Sequence, residues 1–212
     1  ELLPHRQFAR ILKSMSAKEL KKSLSYSLTE GHPELRRQLA LRMVGLQQGI
    51  SGEDIVITTG CMEAVTLCLQ AILKPGDTLA IETPTHFGFL QLFKEMGIMV
   101  VEVPTHPRTG VDIEALSAII ARTAVRACLF MPNFHNPLGT LLPDERKAQL
   151  VSLLNHHEIP VIEDDICAEL YFEGQRRPSL LKAFDRKDLV LTCSSFSKTL
   201  APGFRIGWAV PG

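Results

Sequence analysis

The residues most suggestive of chemistry are Ser195-Phe196-Ser197-Lys198-Thr199, followed seven positions after the lysine by Arg205. The segment trails the apolar run Leu189-Val190-Leu191, which reads as a buried strand, so Lys198 stands where a strand gives way to a turn. A lysine amine is a poor core group but a good nucleophile toward carbonyls when its pKa is lowered, as Schiff-base chemistry requires. Ser195 and Ser197 bring hydroxyl donors and Arg205 a planar fork, a set suited to holding a phosphate. On residue types alone two readings stand: a Schiff-base lysine beside an anion site, or a lysine on a solvated loop.

Three other apolar runs end in polar or glycine-bearing segments. Ile55-Val56-Ile57-Thr58 leads into Thr59-Gly60-Cys61-Met62-Glu63 and then a helix. A glycine turn there offers free backbone N–H groups to an anion, or it is an ordinary strand–helix junction. Leu129-Phe130-Met131 is followed by Pro132-Asn133-Phe134-His135-Asn136-Pro137-Leu138-Gly139, a shaped loop in which Asn136 either donates an amide N–H to a ligand or serves as a turn residue before proline. Pro160-Val161-Ile162 ends in Glu163-Asp164-Asp165. Three carboxylates closing a buried strand read as a metal site, as a partner for a cationic heterocycle nitrogen, or as a solvated charge cluster.

The elements that position these groups follow from periodicity. Candidate strands fall at 55–58, 78–81, 100–103, 127–131, 160–162, 189–191 and 206–210, seven in all, and helices at 61–73, 86–96, 112–120, 143–156 and 179–184. Strands alternating with helices of this length imply βαβ units and an α/β fold with a mostly parallel sheet, whose ligands bind beyond the carboxyl ends of the strands. Residues 1–25 carry a helical pattern with little core signal, and His32-Pro33 opens a further helix through Leu35, Leu39, Leu41, Val44 and Leu46 toward Gly49. Lys+Arg and Asp+Glu both number 23, so nothing points to a nucleic-acid surface within this segment. The five cysteines are odd in number and form no C-x-x-C, as expected of reduced thiols in a cytoplasmic protein. No apolar run reaches the ~18 residues of a membrane span, and no membrane partner is expected. A chain opening on Glu1 and closing on Val210-Pro211-Gly212 reads as a piece of a longer protein.

Taken together, Tyr26 to Gly31, Gly60-Cys61-Met62-Glu63-Ala64, Asn136-Pro137-Leu138-Gly139, Glu163-Asp164-Asp165, Ser195-Phe196-Ser197-Lys198 and Arg205 resemble the class I/II aminotransferases, fold type I enzymes that use pyridoxal 5'-phosphate. The resemblance covers about residues 20–210. It implies a three-layer α/β/α large domain over 26–212, preceded by an arm at 1–25, with the C-terminal small domain outside the chain. It implies Lys198 as the residue that bonds to the cofactor aldehyde and Asp164 as the partner of the ring nitrogen. Asn136 would reach the phenolic oxygen, and the backbone at Cys61 and Met62, with Ser195, Ser197 and Arg205, the phosphate. Tyr26 matches a residue that reaches the phosphate of a partner subunit, so a homodimer is implied.

Three positions depart from the family pattern. His86 stands where an aromatic residue, often tyrosine, stacks on the ring, and Cys167 where many members bring a tyrosine to the phenolic oxygen. Met62 replaces a more usual polar residue. Two functions fit the resemblance. In one, the parent protein is a transcriptional regulator of the MocR/GntR kind, in which an aminotransferase-like domain senses an amino acid or amine and DNA is bound by a domain outside this chain. In the other it is a free-standing aminotransferase working between an amino acid and a 2-oxo acid. Leu2-Leu3-Pro4, Phe8-Ala9-Arg10, Arg108-Thr109-Gly110-Val111-Asp112 and Lys198-Thr199-Leu200-Ala201-Pro202-Gly203 are similar to the regulators, and the changes at His86 and Cys167 lean the same way.

Overall fold

The computed structural model describes residues 3–44 and 49–211. Its eight strands are β1 (Val56–Thr58), β2 (Thr78–Thr83), β3 (Met99–His106), β4 (Gly110–Val111), β5 (Val125–Phe130), β6 (Val161–Asp164), β7 (Val190–Ser195) and β8 (Gly207–Val210). They form one sheet in the order β1-β8-β7-β6-β5-β2-β3-β4. The pairs β2–β3, β2–β5, β5–β6 and β6–β7 are parallel, whereas β8 runs antiparallel to both β7 and β1.

Helices cover both faces. On one lie α4 (Cys61–Ile72) and α5 (Gly88–Glu95), packed on Leu79, Ile81, Ala127, Leu129 and Ile162. On the other lie α6 (Ile113–Ile120) and α7 (Asp144–His156), over Ala80, Cys128, Phe130 and Val161. Successive residues of β5 thus alternate between the two helical layers, as strand geometry dictates, and both faces are apolar because both are covered. The α/β class and the mostly parallel sheet match the expectation from periodicity. The eighth strand was not foreseen, because a two-residue strand carries no period to read.

The remaining helices sit at the edge. Leu39, Ala40 and Met43 of α3 (Pro33–Met43) pack with Ile55, Leu180 and Val210. The helix expected to run toward Gly49 ends at Met43 in the described residues; Leu46, like Leu2 and Gly212, lies outside them. Neither α1 (His5–Ser14) nor α2 (Ala17–Ser23) buries a residue in this chain. The expected helix at 179–184 is only a 3-10 turn over Leu181–Phe184. At its start the Leu181 N–H donates to Glu163 Oε1 at 2.7 Å, and the Ala183 N–H bonds the Leu180 carbonyl in the tighter i→i+3 pattern.

Both β6 and β7 run past their apolar residues into polar ones, ending at Asp164 and Ser195. Neighbouring strands pair with these residues, so the sheet ladder holds the polar ends in place before any ligand does. Leu150 on α7 is wholly buried in the core that carries this sheet. Leu150→Ala is expected to lower unfolding free energy by about 2–5 kcal/mol, seen as a lower urea midpoint; an unchanged midpoint would show that this layer does not support the fold.

Candidate functional site

The carboxyl ends of β1, β2, β5, β6 and β7 open on one cavity of roughly 190 Å³. The start of α4 supplies Cys61 and Met62, and the turn after β2 supplies His86. Met131 and Asn136 come from the loop after β5, Asp164, Ile166 and Cys167 from the end of β6, and Ser197, Lys198 and Arg205 from the segment after β7. Nine residues singled out in the sequence therefore meet in one place. Two do not: Ser195 and Tyr26.

One end of the cavity is built for an anion. α4 begins at Gly60, which has φ 94° and no side-chain cap, so the N–H groups of the first turn are left free for a ligand. Arg205 sits against this turn in the left-handed region, φ 53°, where few residues other than glycine are stable. Its guanidinium donates to Thr59 O at 3.3 Å, Pro202 O at 3.2 Å and Ser197 Oγ at 3.4 Å. The guanidinium holds this position because residue 60 lacks a side chain: a Cβ there would lie 2.2 Å from Arg205 Nη2 and displace it. Gly207 is the more tightly constrained, since its Cβ would run into backbone, 2.4 Å from the Gly60 carbonyl carbon. Helix N-terminus, hydroxyl and guanidinium thus form one donor cluster. Ser195, expected in that cluster, is instead buried at the end of β7, where its Oγ accepts the Ser197 N–H at 3.2 Å and caps the following 3-10 turn.

Asp164, 4% exposed, lines the same cavity. Burial raises its pKa to about 6, against the opposing pull of the Ile166 N–H, the Cys61 thiol and the Lys198 charge. The Ile166 N–H donates to Oδ1 at 3.1 Å and the Cys61 thiol to the same oxygen at 3.4 Å. The run Glu163-Asp164-Asp165 does not act as a cluster. Glu163 turns to the opposite layer, accepting from Leu181 N and from Thr192 Oγ1 at 3.0 Å, and burial holds it well above the usual carboxylate range. Asp165 pairs with Arg177 and accepts from Asn133 Nδ2 at 2.8 Å. Strand alternation separates neighbours in sequence, and only Asp164 faces the cavity.

Lys198 is exposed at the cavity wall, and its ammonium has no hydrogen-bond or ion-pair partner among the described residues. His86 is oriented by the Gly88 N–H, which donates to Nδ1 at 3.3 Å, and by edge contacts with Phe87 and Phe89. Cys167 lines the wall as a half-buried thiol whose pKa burial raises, so it is a weak donor at neutral pH. Asn136 is exposed at the mouth, its backbone N–H donating to Met131 Sδ at 3.2 Å. Tyr26 is fully exposed and takes no part in its own chain's cavity.

Sequence reasoning missed Glu82. It is buried beneath the site, accepting the Met131 N–H at 2.6 Å with His135 Nε2 at 3.6 Å. Burial raises it to about 8, with the nearby Asp164 charge adding to the effect. A single glutamate ahead of Thr83-Pro84 carries no signal of burial in the sequence. Met131 and Ile166 were missed because apolar residues are read as core.

Comparison with known proteins gives one answer. The model of the aminotransferase class I and II family matches residues 3–210. The HTH-type transcriptional regulator YdcR of Escherichia coli, described as uncharacterized, is 43% identical over all of this chain and 45% of its own length. A second such regulator from that organism, YjiR, is 41% identical over 89% of this chain and 40% of its own. The crystal structure of LysN, an alpha-aminoadipate aminotransferase from Thermus thermophilus complexed with N-(5'-phosphopyridoxyl)-L-leucine, superposes with a TM-score of 0.90 at 31% identity, covering 100% of this chain and 53% of that one. The chain spans about half the length of the relatives it matches.

The buried Glu82 carries a pH signature. Its folded pKa lies above the unfolded value, so the native state binds the extra proton and stability falls as pH rises from about 4.5 to about 8, on the order of a few kcal/mol in all. His135, held below its ordinary value by burial, acts in the opposite sense and only at lower pH. Glu82→Gln keeps an acceptor for the Met131 N–H and is expected to remove the share of the fall that belongs to Glu82, while Glu163, also raised to about 8, and Asp164, raised to about 6, keep theirs. Denaturant unfolding across that pH range checks this, and an unchanged slope in the variant would assign the proton elsewhere.

Proposed function

The chain belongs to the class I and II aminotransferase family, and from that membership we propose that it is the pyridoxal-phosphate-binding, effector-sensing part of a transcriptional regulator of the GntR/MocR type. The observation that carries the proposal is identity: the two regulators match at 41–43%, the aminotransferase structure at 31%. On this reading DNA is bound by a domain outside the chain, the effector is an amino acid or amine, and the protein is a cytoplasmic homodimer. Tyr26, fully exposed in its own chain, is free to reach the cavity of a partner subunit.

The cavity fits the cofactor on its own chemistry. The uncapped start of α4, kept open by Gly60, with Ser197 and Arg205, is a donor set for a phosphate dianion. Asp164, buried with a raised pKa and no full cation of its own in hydrogen-bond contact, suits a protonated ring nitrogen. Lys198 supplies the amine, and Asn136 an amide donor at the mouth for the phenolic oxygen. When bound, pyridoxal phosphate supplies an electrophilic aldehyde and an electron-accepting ring. The protein's part is to anchor the phosphate, keep the ring nitrogen protonated through Asp164, and present the Lys198 amine to take or return a proton. His86 gives the ring a smaller stacking face than tyrosine, and Cys167 a weaker donor than a phenol. Both changes spare binding more than turnover, as a sensor requires.

The alternative is a free-standing aminotransferase, favoured by the close superposition on LysN and by the presence of the lysine, carboxylate and anion site in one cavity. The two separate on the full-length protein: a sensor changes its DNA affinity when cofactor and amino acid are added, whereas steady conversion of amino acid to 2-oxo acid at ordinary enzyme rates identifies the enzyme.

Adding pyridoxal phosphate to the full-length protein is expected to give a visible or near-ultraviolet absorption band of the lysine-bound cofactor, and Lys198→Ala to abolish it. A band unchanged in the variant removes Lys198 from its role. Gly60→Ala, which drives a methyl group into Arg205, is expected to weaken cofactor binding by about tenfold or more, the worth of one charge-assisted contact. Equilibrium titration measures this, and wild-type affinity in that variant would place the phosphate elsewhere.

A further inference from the structure

Cys68 and Cys193 lie 125 positions apart in the chain, yet their sulfurs are 3.7 Å apart in the fold. Cys68 is on the inward face of α4, two turns beyond the free helix start, and Cys193 is in the middle of β7, paired with Asp164 on one side and Ala209 on the other. Both are buried, Cys68 at 5% exposure and Cys193 at 0%. No other pair of cysteine sulfurs is in hydrogen-bond contact among the described residues. Cys128 belongs to the opposite helical layer, Cys61 donates to Asp164, and Cys167 is at the cavity wall.

We propose that Cys68 and Cys193 are a reversible oxidation site, converted by hydrogen peroxide into a disulfide that ties α4 to β7. A disulfide bond measures about 2.05 Å, so the sulfurs must close by under 2 Å, within reach of side-chain rotation and a small shift of the helix on the sheet. Peroxide is close to water in size, and Cys68 is the less buried of the two. Either sulfur can donate to the other at this distance, and with Cys193 as the donor the bond favours the Cys68 thiolate. The Cys68 thiolate attacks peroxide: an S–O bond forms, the O–O bond breaks and hydroxide leaves, giving a sulfenic acid. The Cys193 sulfur, losing its proton, then attacks the Cys68 sulfur; the S–S bond forms, the S–O bond breaks and water leaves. Two thiols give up two electrons to one peroxide, with two waters as the other product.

The helix tied down is the one whose start forms the anion site, and the strand is the one that leads to Lys198, so the bond acts on the frame of the cavity without touching its lining. The inference rests on the sulfur geometry and not on the identity of the cofactor.

The test treats the reduced full-length protein with hydrogen peroxide in native buffer, alkylates the remaining thiols after unfolding, and maps the peptides. The expected product has lost two hydrogen atoms in mass, joins the peptides of Cys68 and Cys193, leaves Cys128 as a thiol, and reverts with dithiothreitol. Recovery of both thiols intact overturns the proposal, as does a bond from either to another cysteine. Oxidation that stops at a sulfenic or sulfinic acid on Cys68 overturns it as well, and so does a bond that forms only when denaturant is present and Cys128 is oxidised too.

Discussion

A carboxylate buried at the end of a central strand, with no cation in contact among the described residues, is the constraint from which the rest of the site follows. Asp164 is held by its pairing with Cys193 of β7, deep enough that burial raises its pKa to about 6. A lone buried carboxylate is costly, and nothing in the core gains from it. Its neighbours in sequence are already satisfied, Glu163 by backbone and threonine and Asp165 by Arg177, so the strain at this strand end is confined to the one residue that faces the cavity. The position makes sense if a cationic ligand completes it.

The donor cluster that lines the same cavity has complementary character. There the free amides of α4, Ser197 and Arg205 gather donors around a space that only glycine at 60 and 207 leaves open. The two groups of residues together complement a ligand that carries a phosphate and a protonated nitrogen. Lys198 lines the same cavity. The sheet makes this arrangement possible because parallel strands β5, β6 and β7 end at one edge, while antiparallel β8 returns beside β7 and brings the Arg205 turn back to the start of α4.

Much of this was legible in the sequence, for a physical reason. Polar residues that interrupt an apolar run are seldom needed for packing, so Asp164, Asn136, Lys198 and the Gly60 turn stand out by position. What stayed hidden depends on direction or on distance along the chain. Ser195 and Ser197 look alike in sequence, but strand alternation and a local cap turn the first inward. Glu82 looks like any polar residue at a strand end, yet it lies under the site because the loop after β5 folds over it. Met131 and Ile166 line the cavity although their type marks them as core. The contact between Cys68 and Cys193 is set only by the packing of α4 on β7.

The most direct measurement is the protonation of Asp164 itself, followed by isotope-edited infrared spectroscopy of the full-length protein with and without pyridoxal phosphate, using Asp164→Asn to identify the band. Without the cofactor the acid band should give way to the carboxylate band near pH 6. With it, the carboxylate should persist well below that pH, because a ring cation now shares its burial. Identical titrations in the two states would contradict the assignment of Asp164 as the cofactor's counter-ion.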